Sequence, residues 1–210
     1  MNYSLQKAIR RLLPLLLALL ALLTGCTSKP VHCILPSGVE LKPGDLVFRR
    51  GGGLTSHAVL VADSKGQYSH VGIVVDSCGT MLIVHAVPGE PDFEGDPDRV
   101  KADCPEHFFS SEYAGMGEVC RPVDAEVGRQ ASLKAWQVYQ RHTLFDHDYD
   151  DSDTMKMYCT ELVAFAYRTA GWDLVEDRGG HYINLPFLQG ECVFPSDVYL
   201  SDFLTSVIKF

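Results

Sequence analysis

The chain has 210 residues, 46% hydrophobic and 21% charged, which suits one globular domain with a sizeable core. Its 27 acidic side chains against 18 basic ones give a net charge of −9. That balance argues against nucleic acid as a partner and against electrostatic binding to anionic lipid.

Residues 1–25 read as a signal peptide. Lys7, Arg10 and Arg11 form a positive n-region, and Leu12 to Leu23 form an apolar run too short to span a bilayer comfortably. The run ends in Leu23-Thr24-Gly25-Cys26, which resembles a bacterial lipobox. That resemblance implies a lipoprotein whose Cys26 carries fatty-acyl (palmitate) chains and becomes the new N-terminus. Acyl chains, not charge, would then hold it to the membrane. Thr27, not Asp, follows Cys26, so Gram-negative sorting would place it in the outer membrane, facing the periplasm. Without its three-cation leader the chain keeps 15 basic and 27 acidic residues, net −12. Six cysteines remain: Cys33, Cys78, Cys104, Cys120, Cys159 and Cys192. The periplasm permits disulfides. If Cys159 is free, at least one other cysteine is unpaired too, and connectivity is not readable from sequence.

Residues 26–40 are expected to form a tether, and residues 41–210 the single folded domain. Lys42-Pro43-Gly44-Asp45 is a turn, and Leu46-Val47-Phe48 a brief strand. Gly51-Gly52-Gly53 breaks the chain before a short helix near Ser56 to Asp63. It lacks the Gly-Lys-Ser/Thr ending of a phosphate-cradling loop. His57 has no pattern around it and reads as solvated.

Two β-branched runs follow. Ser69 to Val75 and Thr80 to Val87 flank Asp76-Ser77-Cys78-Gly79, a hairpin signature. A turn centred between Ser77 and Cys78 pairs His70 with His85, on one face and adjacent. Pro88 to Pro105 holds four prolines and six acidic residues and reads as a loop beside the hairpin. Glu118 to Arg121 reads as a strand. Asp124 is a fitting N-cap for a helix from Ala125 to about His142, with Trp136 and Tyr139 on its apolar side. The acidic run Asp146 to Asp153 invites a calcium reading. An EF-hand loop starting at Asp146 would need Gly where Asp151 stands and Glu where Met157 stands. A solvated acidic loop is expected instead. No Cys or His spacing fits a structural zinc site, so no metal or cofactor is expected.

Met157 to Thr169 reads as a helix with a cysteine in its first turn. Cys159, Leu162, Val163 and Ala166 share one face, Glu161, Phe165 and Arg168 fall on another, and Gly171 sits where a C-terminal cap belongs. Free N–H groups and the positive end of the helix dipole favour thiolate there. After it come a polar loop, a short strand near Glu191 to Phe194 and a C-terminal helix capped by Ser196 or Ser201. A thiol at a helix start, a histidine on a strand and a second polar group to orient it make a cysteine-hydrolase constellation.

Leu41-Lys42-Pro43-Gly44-Asp45-Leu46, Tyr68-Ser69-His70-Val71-Gly72-Ile73-Val74, Tyr158-Cys159-Thr160-Glu161-Leu162-Val163 and Phe194-Pro195-Ser196-Asp197 together resemble the YiiX/YaeF group of permuted papain-like amidases and peptidases. That group is related to the NlpC-type cell-wall hydrolases. The resemblance covers most of residues 41–205. It implies an α+β, circularly permuted papain-like (NlpC-type) fold, with an antiparallel sheet packed against the helix that carries the cysteine. It implies Cys159 as nucleophile, His70 as general base and His85 as the orienting third residue. The implied protein is a monomeric envelope hydrolase cleaving an amide bond in a peptide, a peptidoglycan stem or an acyl-amino acid. A lipid-directed acyltransferase or thioesterase of the same fold is a second reading. A non-catalytic, partner-binding lipoprotein is a third, favoured if Cys159 is disulfide-bonded.

Overall fold

A computed structural model describes residues 31–63, 65–150, 154–176, 181–185 and 188–210. Cys26, with the rest of the leader, and Asp151 to Asp153 of the acidic run lie outside the described residues. The chain forms β1 (Leu46–Arg50), α1 (Leu54–Ala62), β2 (His70–Ser77), β3 (Thr80–Val87) and β4 (Arg99–Asp103). It continues through α2 (Pro105–Phe108), β5 (Met116–Pro122), α3 (Ala125–Gln140), β6 (Leu144–Phe145) and β7 (Lys156–Met157). The last elements are α4 (Cys159–Thr169), β8 (His181–Leu185), β9 (Leu188–Cys192), α5 (Pro195–Tyr199) and β10 (Leu204–Lys209). Eight strands make one sheet in the order β10-β5-β1-β2-β3-β4-β6-β7, while β8 and β9 pair as a separate hairpin. Neighbours in the large sheet are antiparallel except β6 and β7. The fold is therefore mixed α+β, a large sheet with few helices.

The central strands are apolar on both faces because both faces are covered. Leu46, Phe48, Val71, Ile73, Val75, Val84 and Ala86 meet Ala131, Ala135 and Val138 of α3 and Leu162, Val163 and Ala166 of α4. Val47, Val74, Ile83 and Val119 face the other way, onto Phe108 and Phe109. Ile34, Leu35, Val39 and Leu41 pack over that second cluster. The Ile34 N–H bonds the Phe109 carbonyl at 2.9 Å, and Cys33 bridges Ser110. From His32 onward the segment expected as a tether thus lies on the sheet. Gly44, at φ +93°, makes the predicted turn. A Cβ there would stand 2.4 Å from the Gly128 backbone, so two glycines let the turn and α3 touch. The Asp124 side chain caps α3 by accepting the Glu126 and Val127 N–H groups.

Three expectations are corrected. The hairpin pairs Ser77 with Thr80 and Ile73 with Val84, so its turn is the two-residue Cys78-Gly79 pair with both φ values positive. Continuing that register sets His85 across from Gly72, not from His70. Pro88 to Pro105 contains a strand, β4, paired with β3 from Ile83–Asp103 to Val87–Arg99. Finally, Ser196 and Ser201 do not cap a C-terminal helix. Phe194 is the N-cap of the short α5, with the Asp197 side chain accepting the Phe194 N–H at 2.8 Å, and the chain ends as strand β10.

Candidate active site

Cys159 is the first residue of α4 because Tyr158, in extended conformation, precedes it as N-cap. Glu161 reaches back to accept the Tyr158 N–H at 3.2 Å, which is why it is buried and not on an outer face. Tyr158 and Thr160 tie the helix start to the residue after β9. The Val193 N–H donates to the Tyr158 hydroxyl at 3.1 Å, and the Thr160 hydroxyl donates to the Val193 carbonyl at 2.6 Å. The nucleophile candidate therefore stands on a fixed first turn.

The sulfur sits among backbone N–H groups of Val71, Thr160 and Cys159 itself. Burial pushes the thiol up to about 11, outweighing those N–H groups and the Arg49 charge, which pull it down. The helix start thus favours thiolate, as expected, while burial of the sulfur opposes it. All six cysteines of the described chain, Cys159 included, are free thiols.

His70 opens β2 and His85 lies near the end of β3. Their rings meet although they are not direct cross-strand partners: His70 Nε2 and His85 Nδ1 are 2.8 Å apart. The observed register differs from the expected one by two residues, and a two-residue slip keeps side chains on the same face. Diagonal neighbours at that spacing still touch when the side chains are long. Gly72 makes the contact possible. A Cβ there would come within 2.6 Å of Ile83 Cγ2 and 3.2 Å of His85 Cβ. Ile83 and His85 fill that space. The helix start is met by the N–H of Val71.

The relay extends to a residue that sequence reading missed. His85 Nε2 lies 3.0 Å from Asp103 Oδ2, which also takes His107 Nδ1 at 2.8 Å. Lys101 stands 3.4 Å from the other Asp103 oxygen. Burial alone would raise Asp103, but the His85 and His107 hydrogen bonds and the Lys101 charge hold it well below the usual carboxylate range. His70 is pulled well below its ordinary value by burial, then by the Arg49 charge and His85. Burial lowers His85 as well, with Asp103 opposing. Both imidazoles are thus neutral near pH 7, which fixes the tautomers. Asp103 only accepts, so His85 carries its proton on Nε2 and presents a bare Nδ1. His70 must then donate from Nε2, and its own Nδ1 is the free base.

Arg49 stands beside this relay. Its Nη1 donates to the Phe108 carbonyl at 2.9 Å and its Nη2 pairs with Glu90. The guanidinium lies 4.6 Å from the centre of the Phe108 ring, which also packs on both histidines. One cavity of about 310 Å³ joins Cys159, His70, Arg49 and Glu90, with Phe145, Tyr149 and Tyr158 among its walls. Asp103, Arg49 and Glu90 escaped the sequence reading. Only Asp103 had a usable signal: Arg99-Val100-Lys101-Ala102-Asp103 alternates with period two.

No protein-family model and no curated protein matches the chain. Among solved structures it is similar to the metalloprotein YiiX from Escherichia coli O157:H7 (DUF1105). The TM-score is 0.61 at 20% identity, covering 82% of this chain and 99% of that one. The two chains share a fold. YiiX is a metalloprotein by name, and a metal centre needs several ligand side chains converging on one point. Among the described residues no group of three or more His, Cys, Asp or Glu side chains is placed to hold a metal ion. His70, His85 and Asp103 spend their facing atoms on one another. These residues do not fit a metal centre.

Proposed function

We propose that this chain is a cysteine hydrolase of the cell envelope, a permuted papain-like amidase or peptidase anchored through lipidated Cys26. The observation that carries the reading is one cavity holding a free thiol at a helix start and a histidine whose far nitrogen is committed to a His85–Asp103 relay. The chemistry follows from the protonation states. Cys159 begins as a thiol and His70 as a neutral imidazole, so proton transfer accompanies attack. His70 Nδ1 takes the S–H proton as sulfur bonds to the amide carbon. The oxyanion meets the N–H of Cys159. As the C–N bond breaks, the imidazolium returns the proton to the leaving amine, and a thioester remains. Water, deprotonated by the same nitrogen, adds to the thioester, and sulfur leaves and recovers its proton. His85 and Asp103 stabilise the imidazolium at each stage without accepting its proton.

The test is capture of the acyl-enzyme with activity-based acyl probes, followed by peptide mass spectrometry. The expected adduct is on Cys159 and is lost in Cys159→Ala and His70→Ala. An absence of any Cys159 adduct across peptide-like and lipid-like probes would overturn the hydrolase reading.

A further inference from the structure

Among the described side chains, two buried polar atoms have no hydrogen-bond partner, Arg50 Nε and Glu90 Oε2. Of these two residues only Glu90 lines the cavity that holds Cys159. Its other oxygen is taken by Arg49. A buried carboxylate oxygen with nothing to accept is costly to maintain, and here the segment presenting it is firmly held. Lys101 Nζ donates to the Glu90 carbonyl at 3.1 Å, and the Gly89 N–H donates to Asp98 Oδ1 at 2.7 Å. Arg99 ties Asp92 and Asp96 at 2.8 Å each. Glu90 is thus positioned by a stitched loop, with one lone-pair face unused.

The lining of the cavity says which donor would complete it. Arg49 is the one Lys or Arg among its lining residues and pairs with only one oxygen of Glu90, while Glu112 is exposed. A cationic donor suits the carboxylate oxygen that Arg49 leaves unused, and an ammonium would supply one by donating to Glu90 Oε2. An alkyl chain would leave that oxygen orphaned. The volume, about 310 Å³, lies near the low end for ligand sites and suits one or two residues.

We infer that Glu90 receives the free α-ammonium of a short aminoacyl or dipeptidyl acyl group, so that the substrates are unblocked at the amino end. The inference rests on the hydrolase reading for its place in the reaction, but recognition can be tested without turnover. Cys159→Ala protein is titrated calorimetrically with alanyl-alanine amide and with its N-acetyl counterpart. The free amine is expected to bind about tenfold tighter or more, the weight of one charge-assisted hydrogen bond. Glu90→Gln in the same background should erase that preference. If Glu90→Gln fails to fold with Arg49 unpaired, the acetylated and free probes on the Glu90 protein still decide. Equal binding, or tighter binding of the acetylated probe, overturns the inference. Amine preference in binding, even without a thioester on Cys159 of the wild type, sustains the recognition site and sinks only the hydrolase reading.

Discussion

The reach of the relay is tested by Asp103→Asn. The substitution keeps the shape of the side chain and removes the charge that His85 faces at 3.0 Å. The His70 and His85 ring centres are 5.0 Å apart, so the lost charge stood roughly 8 Å from the imidazolium formed on His70. At an effective dielectric of about 20, that separation corresponds to about 2 kcal/mol, or roughly 30-fold in rate. An Asn that turned its amide nitrogen toward His85 would also force the opposite tautomer, and the loss would then be larger. The assay is single-turnover acylation of Cys159 followed across pH, with a thermal melt to show that the variant folds. Two changes are expected: a lower plateau, and an acidic limb moved to lower pH. The second follows because His70 must be neutral to act, and losing a nearby carboxylate lowers its pKa further. A merely structural role would slow the reaction without moving that limb. A folded Asp103→Asn variant within twofold of wild type, with an unmoved limb, would show that the relay ends at His85.

In the resting protein, a brief iodoacetamide pulse near pH 7 should label Cys159 more slowly than exposed Cys78 and Cys104, and its rate should climb as pH approaches about 11. Fastest labelling at Cys159 near neutrality would instead reveal a preformed thiolate–imidazolium pair. Gly72→Ala forces a methyl against Ile83 and His85, a strain of about 1–3 kcal/mol. It should lower both the melting temperature and the acylation rate, and an unchanged melt would refute the close approach. Cys26→Ala should release the protein from membranes on cell fractionation. A variant that stays with the membrane, beside a wild type lacking acyl mass, would dispose of the anchor.

The elements legible in the sequence are those whose residues answer to one force at a time. The α3 helix has a side-chain cap and an apolar stripe, and β2 and β3 are long and β-branched, so pattern alone places them. The pairing register depended on where the turn closed. Cys78 at φ 55° and Gly79 at φ 89° form a two-residue turn, yet nothing in Ser77-Cys78-Gly79 marks Cys78 as a residue that tolerates a left-handed backbone. The histidine pair survived the error because the slip was even. An odd slip would have sent one ring into the apolar layer under α3 and α4.

Strand β4 was hidden for the opposite reason. Arg99, Lys101 and Asp103 look solvated as isolated letters, and prolines flank them. In the folded chain each is ion-paired or hydrogen-bonded by a partner from outside the strand or from the relay: Asp92 and Asp96 for Arg99, Asp92 for Lys101, His85 and His107 for Asp103. Charges that cancel only in three dimensions cannot be read as buried from local composition. The same holds for Arg49 and Glu90, 41 positions apart, whose pairing leaves one carboxylate oxygen free beside the thiol. The thiol and the two histidines are local to β2, β3 and α4 and were visible in advance. The parts that would choose a substrate are charges brought together by the loop from Pro88 to Asp98, and only the fold brings them into one cavity.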